Sequence, residues 1–397
     1  MEIRRGLAGA ALPSMSLVRE LTDQIVLDAV FDRAPITRAE IAQATGISKT
    51  TVSESVRRLE GMKLLLPAGE QRGRQGRVGT YYQVAADAGF VIAVDLHPSE
   101  IRLCATDLFG RPFLESTHQP NRPRDPDHIA RQLRALITKT ISQGAVGHGE
   151  LLAIGVSVAN PVDPRTSAVI PLEDTPYPEG VFQPQEALAG LTDAPLLVEN
   201  DVNLAAVAER WHGAAREADS FAYVFIGAGM GMGLILGDQL IQGARGVAGE
   251  IGYLSVSSQP SGTPHGFARA VAEAGFRAGK RPDTADVDPV AVAHDILRRA
   301  DEGDAEAQAV VEEEGRTIGE AIATVCAVVD PDLVLLGGPI GSHPALLAPV
   351  RAAVNSLAPL PAPVEAGALG DAAPLRGALA VALRRARADL RGRAKKP

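Results

Sequence analysis

IAQATGISKTTVSESVRRLE, residues 41–60, decides how this chain is read. Just upstream, Thr37 stands three residues before Glu40, a capping-box arrangement that opens a helix. That helix runs through Ile41 and Ala44 to Thr45. Gly46 follows, where a chain leaving a helix wants a positive φ. Ile47 packs the turn, and Ser48 caps a further helix over SKTTVSESVRRLEGMKLL. Val52, Val56 and Leu59 recur at i, i+4 and i+7 and face inward. Two short helices joined by a tight glycine turn form a helix-turn-helix, whose second helix enters the major groove. The outward face is then Lys49, Thr50, Thr51, Ser53, Glu54 and Arg57, beside Arg58. Hydroxyls and an amine near a helix N-terminus suit phosphate and base-edge contacts, so Thr37 and Ser48 join the candidates for DNA contact. A three-helix bundle that binds protein is the alternative.

The flanks agree with a winged domain over residues 1–85. Upstream, LVRELTDQIVLDAVFDR (residues 17–33) places Leu17, Leu21, Ile25, Ala29 and Val30 at helical spacing, and Leu27 and Phe31 widen the apolar face. Pro35 ends that helix. Downstream, PAGEQRGRQGRVGTYYQV closes in an alternating strand from Thr80 to Val84, and its middle is rich in glycine and arginine. It predicts a β-wing carrying Arg72, Arg74, Gln75 and Arg77, which can lie in the minor groove or along phosphates.

The net charge of −9 over 397 residues argues by itself against DNA. Its distribution does not. Residues 1–90 hold 12 Lys/Arg against 10 Asp/Glu, leaving 27 against 38 for the rest, so the basic surface sits on the first domain. Arg384, Arg385, Arg387, Arg391, Arg393, Lys395 and Lys396 form a second basic cluster, read as a solvated helix end and a flexible tail over residues 391–397. No uncharged apolar run reaches the length of a membrane span. The leader MEIRRGLAGAALPSM is interrupted at Pro13 and reads as an irregular first turn rather than a secretion signal. Cys104 and Cys326 are the only cysteines, both inside apolar runs, which predicts buried free thiols and a cytoplasmic protein.

From residue 88 to 390 the pattern changes. FVIAVD (90–95) and the alternating IRLCATD (101–107) begin an antiparallel meander. A helix over roughly 126–143 precedes the buried strand LLAIGVSVA (151–159). LLVEN (196–200) runs into a helix from Asp201 to His212. FAYVFIG (221–227) and MGLILG (232–237) pair around a glycine turn, and DLVLLGG (332–338) is a late strand. Meander, helix, strand, helix, then the same theme again, is an α/β architecture in two lobes.

These segments carry a resemblance. VDLHPSEIRLCATDLFGR, IGVSVANPVDPRTSAV, LLVENDVNLAAVAER, FIGAGMGMGLILGDQLIQGARGVAGEIGY and VDPDLVLLGGPI resemble the ROK family of sugar-dependent repressors, uncharacterised open reading frames and sugar kinases. The added winged helix makes the chain similar to the family's NagC/XylR-type regulators. The resemblance implies an actin-like, hexokinase-like duplicated α/β fold with a ligand in the cleft between lobes. It implies a sugar or sugar-phosphate effector, a palindromic double-stranded DNA operator, and a homodimer or homotetramer. It places Asn200 and Asp201 against the sugar, Asp201 matching the kinases' proton-accepting base, and Glu250 matching the sugar-binding glutamate. An Asp at a helix start is also an ordinary cap.

The chain departs from the family in several places. The first phosphate loop reads Asp95-Leu96-His97-Pro98-Ser99, without glycines and with a proline that has no N–H to donate. The second, Gly227 to Gly233, keeps its glycines, which equally suit a tight β-turn. Tyr253 stands where the family has a histidine, and Asn160 where it has a turn glycine. Both are candidate ligand contacts. Ser255 to Gly266 lacks the family's zinc-binding cysteines, so neither zinc nor any other cofactor is expected. The leading expectation is a regulator, not an enzyme, with Asp201 vestigial. The alternatives are an ATP-dependent sugar kinase with a fused DNA-binding domain, and a regulator whose degenerate sensor responds to no ligand.

Overall fold

The structure, a computed structural model, describes residues 15–72, 78–97, 100–120, 125–172, 182–254 and 288–393. The first domain is α1 (Met15–Arg33), β1 (Ile36–Thr37), α2 (Arg38–Thr45), α3 (Lys49–Gly61), β2 (Leu65–Arg72) and β3 (Val78–Val84). The capping box closes as the sequence requires. The Glu40 N–H donates to Thr37 Oγ1 at 3.3 Å and the Thr37 N–H donates to Glu40 Oε2 at 2.8 Å. Gly46 ends α2 at φ 72°. Val52, Val56 and Leu59 are fully buried. Each such side chain contributes about 1.5–3 kcal/mol by leaving water. The sheet order is β1-β3-β2, with Ile36 opposite Tyr82.

The inner face of α1 differs from the expected one. Leu21 and Ile25 are 48% and 44% exposed, while Thr22, Asp23, Val26 and Val30 face inward. A polar anchor turns the helix. Asp23, buried, receives the Ser55 hydroxyl and two N–H donors from Arg58, Nε at 3.0 Å and Nη2 at 2.7 Å.

Two lobes follow with one strand plan used twice. The first contains β4 (Phe90–His97), β5 (Glu100–Asp107), β6 (Pro112–His118), α4 (Pro126–His148), β7 (Leu151–Val158), the single turn α5 (Pro184–Ala187) and β8 (Leu196–Asn200). Its sheet order is β6-β5-β4-β7-β8. Then α6 (Asp201–His212) leads to β9 (Phe221–Ile226), β10 (Met230–Leu236) and β11 (Gln239–Leu240). The second lobe continues with α7 (Pro289–Asp301), α8 (Ala305–Val329), β12 (Leu333–Gly337), α9 (Gly338–Gly341), α10 (Pro344–Leu357) and β13 (Val364–Ala366), and the chain closes with α11 (Ala373–Arg393). Its sheet order is β11-β10-β9-β12-β13. In each sheet an antiparallel meander is extended by two parallel strands. This is the duplicated hexokinase-like plan.

Alternation along the strands sorts the layers. In β4, Phe90, Ile92 and Val94 pack against Ile129, Leu133 and Ile137 of α4. Val91 and Ala93 face the other way, toward α11. In the second lobe, Ala222 and Val224 meet α7, α8 and α10, whereas Phe221 and Tyr223 meet α6 and α11. So α6 and α11 are the helices shared by both sheets. They approach closely because a side chain is missing where they cross: a Cβ on Gly377 would strike the Leu204 carbonyl. A Cβ on Gly155 of β7 would strike the Ala378 carbonyl, so α11 also lies close on the first sheet.

The winged domain shares a core with this body. Val26, Val30, Phe31, Val56 and Leu65 belong to one buried cluster with Val91, Leu108, Leu152, Ala153, Ala382, Ala386 and Leu390. At the junction the Arg387 guanidinium lies over the Phe31 ring at 4.8 Å and donates to the Leu108 carbonyl at 2.8 and 3.1 Å. Arg387 is therefore packed, whereas Arg384 and Arg385 are exposed; the helix runs to Arg393, into the segment the sequence suggested as a tail, and Lys395 and Lys396 lie outside the described residues. Only a turn at residues 86–88 separates the winged domain from β4.

Gly233 on β10 sets how closely α6 lies on the second sheet. A Cβ there would sit 2.6 Å from the Val202 carbonyl and 3.2 Å from Asn203 Cα, whereas one on Gly231 meets only Val202 Cγ2 at 3.4 Å. We expect Gly233→Val to cost about 3 kcal/mol or abolish folding, and Gly231→Ala to stay within about 1 kcal/mol of the parent. Thermal melts followed by circular dichroism check the contrast.

Candidate functional site

The first candidate surface is the outer face of α3. Lys49, Thr50, Glu54 and Arg57 are exposed, and Thr51 and Ser53 are half-buried. Ser48 Oγ bonds Thr51 Oγ1 at 2.8 Å and accepts from the Thr51 N–H at 3.2 Å, so this hydroxyl fixes the helix start. Ser53 Oγ donates to the Lys49 carbonyl at 2.8 Å. Thr37 is buried and holds its capping box. Arg58 does not belong to the exposed face. Its guanidinium is spent on Asp23, which holds it protonated even more firmly than usual. Arg72 ends β2, and Arg74, Gln75 and Arg77 lie outside the described residues.

The second candidate lies where α6 begins, between the sheets. Strand register lines up Arg102, Asp95, Ser157 and Glu199 across β5, β4, β7 and β8, on the face toward α6 and α11. All but Arg102 are buried. Asp95 accepts from Arg102 Nε at 3.1 Å and Nη2 at 2.6 Å, both on Oδ2. Glu199 accepts from the Asn200 N–H at 2.9 Å, from Asn203 Nδ2 at 2.9 Å, and from Gln242 Nε2 of the second lobe. The Ser157 hydroxyl has no hydrogen-bond partner among the described residues.

Asn200 is the helix cap. Its Oδ1 accepts from the Val202 and Asn203 N–H groups at 3.0 and 3.1 Å. Its amide donates to Asp201 Oδ1 at 3.1 Å and to the Asn160 carbonyl at 3.3 Å. Asn160 is buried and donates to the Ile170 carbonyl at 3.1 Å, so it shapes the loop that supports Asn200. Glu250 enters from the second lobe, half-buried, directly before a short 3-10 turn over Ile251–Tyr253. Tyr253 sits at that turn's outer end, 59% exposed. The structure thus brings Asn200, Asp201 and Glu250 together and puts Asn160 beneath them, with Tyr253 exposed three residues after Glu250.

Three carboxyls of this cleft, those of Glu199, Asp201 and Glu250, resist ionisation. Burial pushes Glu199 and Glu250 up from their ordinary range. Asp201 rises to about 7, first through burial, then through the neighbouring Asp95, with Glu250 adding. Near neutrality Asp201 is therefore both donor and acceptor, which suits a ligand hydroxyl. Gly227 and Gly229 close the β9–β10 turn by a 2.9 Å hydrogen bond, and Gly231 and Gly233 face α6. Pro98, Ser99 and Ser255 to Gly266 lie outside the described residues. Among the described residues no group of three or more His, Cys, Asp or Glu could hold a metal ion.

The ROK family model matches residues 91–385, and a winged helix-turn-helix DNA-binding model matches residues 19–63. The chain belongs to the ROK family. It is 23% identical to the xylose repressor of Caldicellulosiruptor bescii over 337 residues, 81% of this chain and 84% of that one. It is 25% identical to the xylose repressor of Bacillus subtilis over 248 residues, 62% of this chain and 63% of that one. The glucokinase of Halalkalibacterium halodurans is 26% identical over 280 residues, 66% of this chain and 83% of that one. A solved ROK family transcriptional regulator, homologous to the E. coli MLC protein, shares the fold with a TM-score of 0.73 at 19% identity, over 94% of this chain and 98% of that one.

The geometry has two measurable consequences. Arg58→Ala removes the charged partner of buried Asp23 and should cost about 3 kcal/mol, read as a lower unfolding midpoint in denaturant. Asp201 keeps its proton to about pH 7 in the folded chain, while an exposed aspartate loses it near pH ~4. The folded state then holds more protons across that window, so its stability falls as pH rises through it. Asp201→Asn should melt a few degrees above the parent at about pH 8, with the difference closing toward about pH 4.

Proposed function

We propose that this chain is a sequence-specific transcription regulator of carbohydrate metabolism, a repressor, in which α3 and the wing read an operator and the interlobe cleft holds a sugar effector. The observation that carries this reading is the fusion itself. An exposed α3 face of Lys49, Thr50 and Arg57 shares one buried core with a body whose cleft presents Asn200, Asp201 and Glu250. The likeness to xylose repressors supports it and makes D-xylose the first sugar to try.

Two-fold operators need paired readers, so the working form is a homodimer or homotetramer on palindromic DNA. The setting is the cytoplasm, consistent with two buried free thiols. No described helix is long and apolar enough to cross a membrane. The effector acts by binding one relative arrangement of the lobes better than another, and α11, packed on α6 and on the winged domain, is the element that would carry the difference.

Sugar phosphorylation is the second reading, and the raised Asp201 carboxyl at the start of α6 favours it. Against it, Asp95 is held by Arg102.

Fluorescence anisotropy on DNA from upstream of the chain's own gene, with and without D-xylose, tests the regulator reading. Arg57→Ala should weaken binding by about 1–3 kcal/mol with the thermal midpoint unchanged. Unaltered affinity would remove α3 from the interface. An ATP-coupled assay in which sugar is consumed, and in which Asp201→Asn stops consumption, would replace the regulator with the kinase.

A further inference from the structure

We propose that Arg102 determines which ligands the cleft accepts: its guanidinium occupies the place beside Asp95 that the divalent cation of a nucleoside triphosphate would need, so the cleft takes uncharged polyhydroxy ligands and refuses metal-bound polyphosphates. The proposal deepens the sugar-sensing reading above by naming the residue that separates a sensor from a phosphate-transfer site.

Asp95 lies two residues before the C-terminal end of β4, toward the strand ends where ligands of such folds gather. It is 3% exposed. A carboxylate so far from water requires a positive partner. Strand register supplies one. Arg102 lies directly opposite Asp95 in the β4–β5 pair and gives it two N–H donors. Glu100, two residues earlier on the same strand, lies 3.4 Å from the same Nε. Two carboxylates thus share the Nε edge of the guanidinium, and Arg102 is itself four-fifths buried.

A metal ion brought to Asp95 would meet this fixed cation a few ångströms away in a poorly screened site. An ammonium could swing aside, whereas a guanidinium held on Asp95 by two N–H donors is far less free to do so. A neutral hydroxyl suffers no such repulsion. It finds an acceptor and a donor in Asp201, and the unpartnered Ser157 hydroxyl lies beside Asp95 in the same row.

The experiment titrates the full chain with Mn2+ alone, followed by electron paramagnetic resonance, and with a non-hydrolysable ATP analogue plus Mg2+, followed by calorimetry. The parent should bind neither in the cleft. Arg102→Met should gain about tenfold or more in affinity for both, and Asp95→Asn in the same chain should abolish the gain. Arg102→Gln, which can still donate to Asp95, replaces Arg102→Met should that variant fail to melt cooperatively. Arg102→Lys, whose ammonium can swing aside, should gain affinity as Arg102→Met does, and continued refusal by a folded Arg102→Lys overturns the assignment of the exclusion to the fixed guanidinium. The proposal fails if the parent binds the analogue as tightly as the variant, or if a folded variant gains nothing. Operator DNA takes no part in these titrations, so a chain that ignored every operator would sink the regulator reading and leave the test of Arg102 intact.

Discussion

The close crossing of α6 with α11 between the two sheets is the constraint from which the rest of the structure follows. Gly377 lets backbone meet backbone there, Gly155 does the same between α11 and β7, and Ala205, Ala208, Ala378, Ala380 and Ala382 keep the layer thin. Only a thin layer allows one helix to touch both sheets. Because α6 is fixed in this sandwich, its first residues emerge at the ends of β4, β7 and β8, where Asp95 and Glu199 wait. The cleft chemistry is therefore a by-product of how small residues pack.

Much of this was legible in the sequence because it is local. Val52, Val56 and Leu59 announce their face of α3 by spacing, and Thr37 with Glu40 announces a helix start. Alternation in β4 and β5 marks a meander, and the duplicated lobes follow from its recurrence. The inner face of α1 was misread for a definite reason. A count of apolar residues cannot see that Asp23 points inward, since what allows it is Ser55 and Arg58, 32 and 35 residues away. The two-residue strand β1 was too short to show any alternation.

The cleft was legible only in part. Asn200, Asp201 and Glu250 lie in segments whose pattern marks them, and they converge. Arg102, Ser157, Glu199 and Gln242 carry no motif. They become a set only when strand register lines up four strands and the second lobe folds over them. Arg58 shows the opposite failure: a basic residue on a recognition helix looks like a DNA contact until its buried counter-charge is in view.

The core common to the winged domain and the body bears on engineering. Regulators of this build invite the exchange of reading heads, one operator preference for another. Here the underside of the head is fitted to Val91, Leu152 and the outer turns of the last helix, with Arg387 bridging Phe31 and Leu108. A transplanted head would arrive with a foreign underside. Chimeras of this protein would therefore have to graft Ala382, Ala386, Arg387 and Leu390 together with the new head, since first and last segments of the chain form a single fitted part.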